Sequence, residues 1–240
     1  MKKLISVPLK ILKISGITVA ILIALLFLAP FLFPDTVSHQ IKAWTNKSIT
    51  GDLNFSRSRL SFFNHFPSLT LTLYDVDLKG SAPFDKDTLL SARKLGFGIN
   101  LQELIFNRAV HINKLYLTDA LMNVQVSEKG EANYNIYKSD TAAKKDTAAD
   151  HSAASLRLER IKISNCHLMY NDRSVRMLME AKHLNYEGSG DLSRSIFDLA
   201  SHIETDSFNF TFDKENYLAH KAIDADLITR VNTQTLALIF

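Results

Sequence analysis

A period of two in hydropathy runs through most of the chain beyond residue 51, and it restricts the fold more than any other feature. Leu69-Thr-Leu-Thr-Leu73 alternates strictly, and Val76 and Leu78 carry the pattern on after Asp75. Leu95, Phe97, Ile99 and Leu101 alternate with Gly96, Gly98 and Asn100. Phe208, Phe210 and Phe212 alternate with Asn209 and Thr211, and Ile223, Ala225 and Leu227 with Asp224 and Asp226. Successive side chains of a strand point to opposite faces, so this pattern specifies strands with one apolar and one polar face. A parallel sheet covered on both sides by helices would show unbroken apolar runs instead. The expected fold is mainly β, an elongated, curved, mostly antiparallel sheet with an apolar groove-like face. A short helical insert is expected near Leu101–Phe106, where Asn100 and Glu103 form a capping-box pattern.

The amino end departs from this period. Residues 14–33 carry no charge, and at ~1.5 Å per residue they span about 30 Å as a helix, the thickness of a bilayer's hydrocarbon. Lys2, Lys3, Lys10 and Lys13 precede the run, and Asp35 follows it. The positive-inside rule puts residues 1–13 in the cytoplasm as a basic tail and everything after the span on the other side. The apolar run is longer than a cleaved leader's, and its bulky end, Leu28-Ala-Pro-Phe-Leu-Phe33, offers no small-x-small site, so the expectation is an uncleaved anchor. Its apolar body includes Ile14, Ile17, Ile21, Leu25, Leu28 and Phe33. Pro34 and Asp35 suit a helix start, and Val37, Ile41 and Trp44 recur with helical spacing, giving a short amphipathic helix to about Lys47. Trp44 is placed either as an interfacial anchor at the membrane surface or as packing against the neighbouring sheet.

Ile112, Leu115, Leu117 and Asp119 line up with Leu158, Ile161, Ile163 and Asn165, and Leu73, Val76 and Leu78 show the same apolar spacing. Leu90, Leu95 and Phe97 likewise match Met179, Leu184 and Tyr186. Together these matches suggest a repeated strand unit and a sheet that grows by adding strands. Between them, residues 138–155 lack large apolar side chains and read as a flexible linker. The expected organisation is a β region over 34–137, the linker over 138–155 and a second, incomplete β unit over 156–240.

Charge and composition remove several functions. The four amino-terminal lysines account for the formal charge of +3, and the remainder is nearly neutral. A nucleic-acid binder needs its positive charge spread over a face, so nucleic acid is not an expected partner. One cysteine, Cys166, excludes an intramolecular disulfide framework; placed near a strand end, it reads as a small buried hydrophobe. The chain has no GxSxG, HExxH, GxGxxG or P-loop pattern, and Gly96-Phe-Gly98 opens no phosphate-binding helix. The eight histidines are scattered, and His65 reads as a turn residue. Asp224 and Asp226, ~7 Å apart on one strand face, suit a solvated surface better than a carboxylate pair. No catalytic residue, metal or organic cofactor is expected.

Leu60-Ser-Phe-Phe-Asn-His-Phe-Pro67, then Gly80, Pro83, Phe84 and Asp87-Thr-Leu-Leu90, resemble the start of AsmA family proteins, and Gly130-Glu-Ala-Asn-Tyr134 resembles a Gly-x-x-Asn-Tyr segment later in that family's amino-terminal region. The resemblance covers the anchor and most of residues 35–137. It implies a single-pass bacterial inner-membrane protein with its bulk in the periplasm, related to bridge-like lipid-transfer proteins in which a curved sheet carries lipid chains along an apolar groove. Family members are usually much longer than this chain. The resulting expectation is a protein of outer-membrane biogenesis with membrane lipid as its partner. Carrier candidates are Leu69, Leu71, Leu73, Leu95, Phe97, Ile99, Phe208, Phe210 and Phe212. Periodicity leaves open whether these stripes line an open trough or seal a closed sandwich. The alternative role is a tethered assembly factor that binds outer-membrane or other envelope proteins by β-augmentation; a tethered hydrolase is the remote third.

Overall fold

The computed structural model describes residues 34–61, 68–100, 103, 111–136, 155–191, 196–232 and 237–239. The expected anchor, with Ile14, Ile17, Ile21, Leu25, Leu28 and Phe33, lies outside them. Among the described residues no helix is long and apolar enough to cross a membrane.

Helix α1 (Pro34–Ser48) is followed by ten strands: β1 (Leu53–Asn54), β2 (Arg57–Ser61), β3 (Ser68–Lys79), β4 (Thr88–Asn100), β5 (His111–Val126), β6 (Ser155–Asp172), β7 (Met177–Ser189), β8 (Ile196–Phe212), β9 (Glu215–Asn232) and β10 (Ala237–Ile239). They form one open sheet in chain order from β3 to β10, with β1 and β2 both paired to the outer edge of β3. The alternating stripes therefore belong to a single sheet and not to two facing sheets. Neighbouring strands are antiparallel except β5 and β6, which run parallel. That pair cannot be joined by a hairpin, so a longer crossover connection separates β5 from β6 in the chain. Ser155, the last residue of the expected linker, opens β6; the rest of that stretch lies outside the described residues.

The parallel pair explains the internal echo. Leu115, Leu117 and Asp119 stand 46 positions before Ile161, Ile163 and Asn165, and the sheet places Leu115 beside Ile161 and Leu117 beside Ile163. The second match joins β4 to β7, the outer partners of β5 and β6. The order is mirrored about the parallel pair, which corrects the tandem unit read from the sequence. Matched residues are alike because they occupy equivalent places on one face.

Apolar side chains form rows across the strands. Leu73, Leu95, Leu117, Ile163, Tyr186, Ile203 and Ala225 fall side by side, and Leu78, Leu90, Met122, Leu168, Ala181 and Phe208 make a parallel row. Between such rows the strict alternation breaks. From Leu73 to Val76, Leu117 to Ala120, Ile163 to Cys166 and Ala181 to Leu184, two residues intervene instead of one. One of each intervening pair has positive φ: Asp75 at 51°, Asp119 at 50°, Asn165 at 53° and His183 at 52°. A left-handed non-glycine residue costs about 1 kcal/mol or more, least for Asn and Asp. Hydrogen bonds between these residues and their neighbours offset that cost. The Asn165 amide side chain donates to Asp119 Oδ1 at 2.6 Å, the Arg93 guanidinium ion-pairs with Asp119, and His183 meets Asp206 at 2.9 Å. The extra residue returns Val76, Ala120, Cys166 and Leu184 to the apolar face; a plain strand would turn them to the other side.

One end of the sheet is closed. Asn46 of α1 accepts the Leu53 amide at 2.8 Å and donates to the Leu53 carbonyl at 3.1 Å, acting as an extra strand residue, while Ser38 bonds Ser58 at 2.8 Å. Ile49, Leu53 and Phe55 pack with Leu73 and Val76 in the core, and Ile41 joins them. The segment after β5 locks this corner. Asn133, fully buried, donates to the Asn123 carbonyl at 2.7 Å and accepts the Gln125 amide at 3.0 Å. Its carbonyl accepts the Ser81 amide at 2.9 Å, and the Ile136 carbonyl accepts that of Thr50 at 2.6 Å. Gly130 turns this segment at φ +80°, and Gly51 approaches the Lys79 carbonyl so closely that a Cβ would clash with it. Farther along, the Asn100 side chain accepts the Glu103 amide at 3.3 Å, as the capping pattern requires.

Asn133→Ala should cost about 2 kcal/mol, because it leaves a part-buried carbonyl and a part-buried amide without their partners, at about 1 kcal/mol each. Chemical denaturation of the full chain measures this, and a loss below ~1 kcal/mol would remove Asn133 as the corner's lock.

Candidate functional site

The apolar face is covered at one edge and hollow at the other. Beneath α1 and β1, Leu73 and Val76 are only 2% and 1% exposed. Across β5 to β9 the same face opens into a concavity of about 530 Å³. Its lining includes Met122, Ile163, Leu168, Leu184, Ile203 and Phe208, with Ile223 and Leu227 towards β9. Ala181 and Ala225 sit among these larger neighbours and leave the space unfilled. Thr205 is the hydroxylic member of the β8 wall; its Oγ1 donates to the Lys182 carbonyl at 2.7 Å, so it brings no free polar group to the hollow. Ile163, Leu168 and Ile203 are half-buried, which leaves them accessible to a bound molecule.

The nine carrier candidates are divided by this arrangement. Leu69 pairs with Ile99, Leu71 with Phe97 and Leu73 with Leu95, all at the edge held by β2 and α1, where Leu69 and Leu73 are buried. Of the nine, Phe208 lines the hollow. Phe210 lies two residues on, its ring 5.8 Å from that of Tyr217, and Phe212 is exposed at the tip of the β8–β9 hairpin. Trp44 falls within α1, but its side chain lies outside the described residues, as does His65. Met122, Ile163, Leu168, Leu184 and Ile203 were missed as lining residues. The two-residue steps interrupt their alternation, whereas the uninterrupted stripes on β3, β4 and β8 stand out.

Cys166 is corrected in position: it lies in the middle of β6, fully buried in the row with Ala120 and Leu184. Burial pushes its thiol up to about 11, with a backbone hydrogen bond from Met122 opposing weakly. Only the thiolate is nucleophilic, so this group is inert at neutral pH.

On the opposite, polar face the histidines meet carboxylates across the strands. His167 contacts Glu180 at 2.8 Å, and His202 contacts Asp226 at 2.9 Å with Asp224 3.9 Å away. The two aspartates are exposed and serve as partners of His202 on a solvated surface. The hydrogen bond that His202 donates to Asp226 raises the His202 pKa above the ordinary 6.5, with charge from Asp226, Asp224 and Glu204 adding to it. Among the described residues no group of three or more His, Cys, Asp and Glu is placed to hold a metal.

Two outcomes follow. In the native chain at pH 8, Cys166 should resist a thiol reagent and react fully once unfolded; fast native labelling would contradict its burial. His202 should titrate above 6.5 by NMR, and Asp226→Asn should lower that midpoint. A raised folded pKa stabilises below the unfolded value, so the advantage of the wild type over Asp226→Asn should be full below pH 6.5 and fade as pH rises through the folded midpoint.

No match is found among curated proteins. The model of the AsmA family matches residues 8–218, which take in α1 and the sheet from β1 into β9. The shared span contains the locked corner and the β5 to β8 part of the hollow's lining, and the chain belongs to the AsmA family.

Proposed function

We propose that this chain handles lipid in the bacterial envelope, holding acyl chains against the hollow on its apolar face while residues 14–33 anchor it in the inner membrane and the sheet stands in the periplasm. The hollow carries this reading: the surface it exposes is apolar, the described side chains leave it unfilled, and it continues the rows that cross the sheet. Exposing hydrocarbon to water costs about 0.8 kcal/mol per CH₂, so a sixteen-carbon chain leaving a bilayer faces about 12 kcal/mol. A surface that matches hydrocarbon lowers that barrier without any reacting group. Family membership supports an envelope-related role, and the likeness to bridge-like lipid-transfer proteins supports phospholipid as cargo in outer-membrane biogenesis.

The edge strand supports a second reading. Strand β9 is eighteen residues long, and β10 pairs with Arg230, Val231 and Asn232. Among the described residues its outer edge from Glu215 to Thr229 has no paired strand, and such an edge can accept an added strand from a client protein.

Photo-crosslinking amino acids at Ile203 and Phe208, with Asp224 as the polar-face control, separate the two in cells. Lipid adducts at Ile203 and Phe208 but not at Asp224 are expected. Protein adducts along β9 with no lipid at Ile203 or Phe208 would replace carriage with assembly.

A further inference from the structure

On the face opposite the hollow, strands β3 to β6 bring together a set of donors that lipid chains cannot use. Register places Tyr74, Lys94, Thr118 and Ser164 in one row and Thr72, Gly96, Tyr116 and Lys162 in the next. These residues, with Thr70, line a recess of about 270 Å³. The recess exists because Gly96 presents no side chain between Thr72 and Tyr116. A Cβ there would stand 3.3 Å from that of Tyr116.

We propose that this recess binds a phosphate-type anion between Lys94 and Lys162. Its lining holds two ammonium groups, hydroxyls from threonine, serine and tyrosine, and no carboxylate. Ammonium and hydroxyl groups are the donors that satisfy phosphate oxygens, and the charged ones form the stronger bonds. Burial raises the Tyr116 pKa, so its phenol stays protonated and adds no negative charge to the recess. Lys114 and Arg160 occupy the following row beside Gly98 and extend the positive field. The acidic neighbours are Glu187, 3.5 Å from Lys162 and 3.8 Å from Arg160, and Asp119, whose carboxylate feels the charge of Lys94 but is held by Asn165 and Arg93. Both Glu187 pairs are about half exposed and weak, so Lys162 can turn towards an anion at little cost. The site lies on the other side of the sheet from the hollow and does not depend on what the hollow carries. Its ligand is either a free phosphate ion or the phosphate of a headgroup.

Calorimetry on the full chain in neutral detergent tests the assignment with inorganic phosphate, glycerol 3-phosphate and glucose as probes. Both phosphates should bind saturably and more weakly as salt is raised, and glucose should not bind. The exposed pair Lys94→Gln and Lys162→Gln together should weaken binding by about tenfold or more, while Lys221→Gln, on β9, should leave it unchanged. Equal affinity for the two phosphates supports the proposal with a free ion as ligand, and tighter binding of glycerol 3-phosphate supports it with a headgroup. The proposal is overturned if neither phosphate saturates, if the folded double variant binds as well as the wild type, or if glucose competes equally.

Discussion

Every strand of this sheet must keep its apolar side chains on one face, and the rest of the structure depends on how that requirement is met over strands of up to eighteen residues. The answer is an extra residue, inserted at Asp75, Asp119, Asn165 and His183, where the backbone turns left-handed. Polar side chains suit these places because they bond across the strands while the backbone steps. Asp119 shows the arrangement most fully: the hydrogen bond from Asn165 and the neighbouring Arg93 hold its carboxyl below the ordinary carboxylate range. Without these steps the rows through Leu73 and through Leu78 could not both lie on one face.

One edge of that face is used for stability and the other is available for binding. Helix α1, β1 and the Asn133 corner bury Leu73, Val76 and Phe55, and they place the residues that follow the apolar amino-terminal run against the sheet. Towards β9 the same rows end in smaller or half-buried residues, and the hollow forms there. The core and the proposed lipid surface are thus one continuous apolar face, differing in whether α1 and β1 lie over it. The polar face has its own division, with histidine–carboxylate pairs over β6 to β9 and a basic, hydroxyl-rich recess over β3 to β6.

Much of this was legible in the residues. The alternation at Leu69–Leu73, Leu95–Ile99, Phe208–Phe212 and Ile223–Leu227 located four strands, and Pro34 with Ile41 located α1. The likeness between 112–119 and 158–165 was visible, but its meaning was not. A parallel pair and a tandem repeat both make 112–119 resemble 158–165; the mirrored order of the second match, 90–97 with 179–186, and the pairing of Leu117 with Ile163 distinguish them. The carrier candidates were drawn from the cleanest stripes, and six of those nine residues lie on β3 and β4, outside the lining of the hollow. Ile163, Leu168 and Leu184, which line the hollow, flank the step residues that obscure their period.

Local chemistry in the sequence by itself determined the β class, the amphipathic helix, the apolar amino-terminal run and the lack of familiar catalytic motifs, because side-chain period and composition act over a few residues. Tertiary structure alone decided that the stripes share one open sheet, that β5 and β6 run side by side, and which stretch of the apolar face forms the hollow. Those outcomes depend on which strands pair and what packs over them, and hydrogen bonds and contacts between distant residues set both.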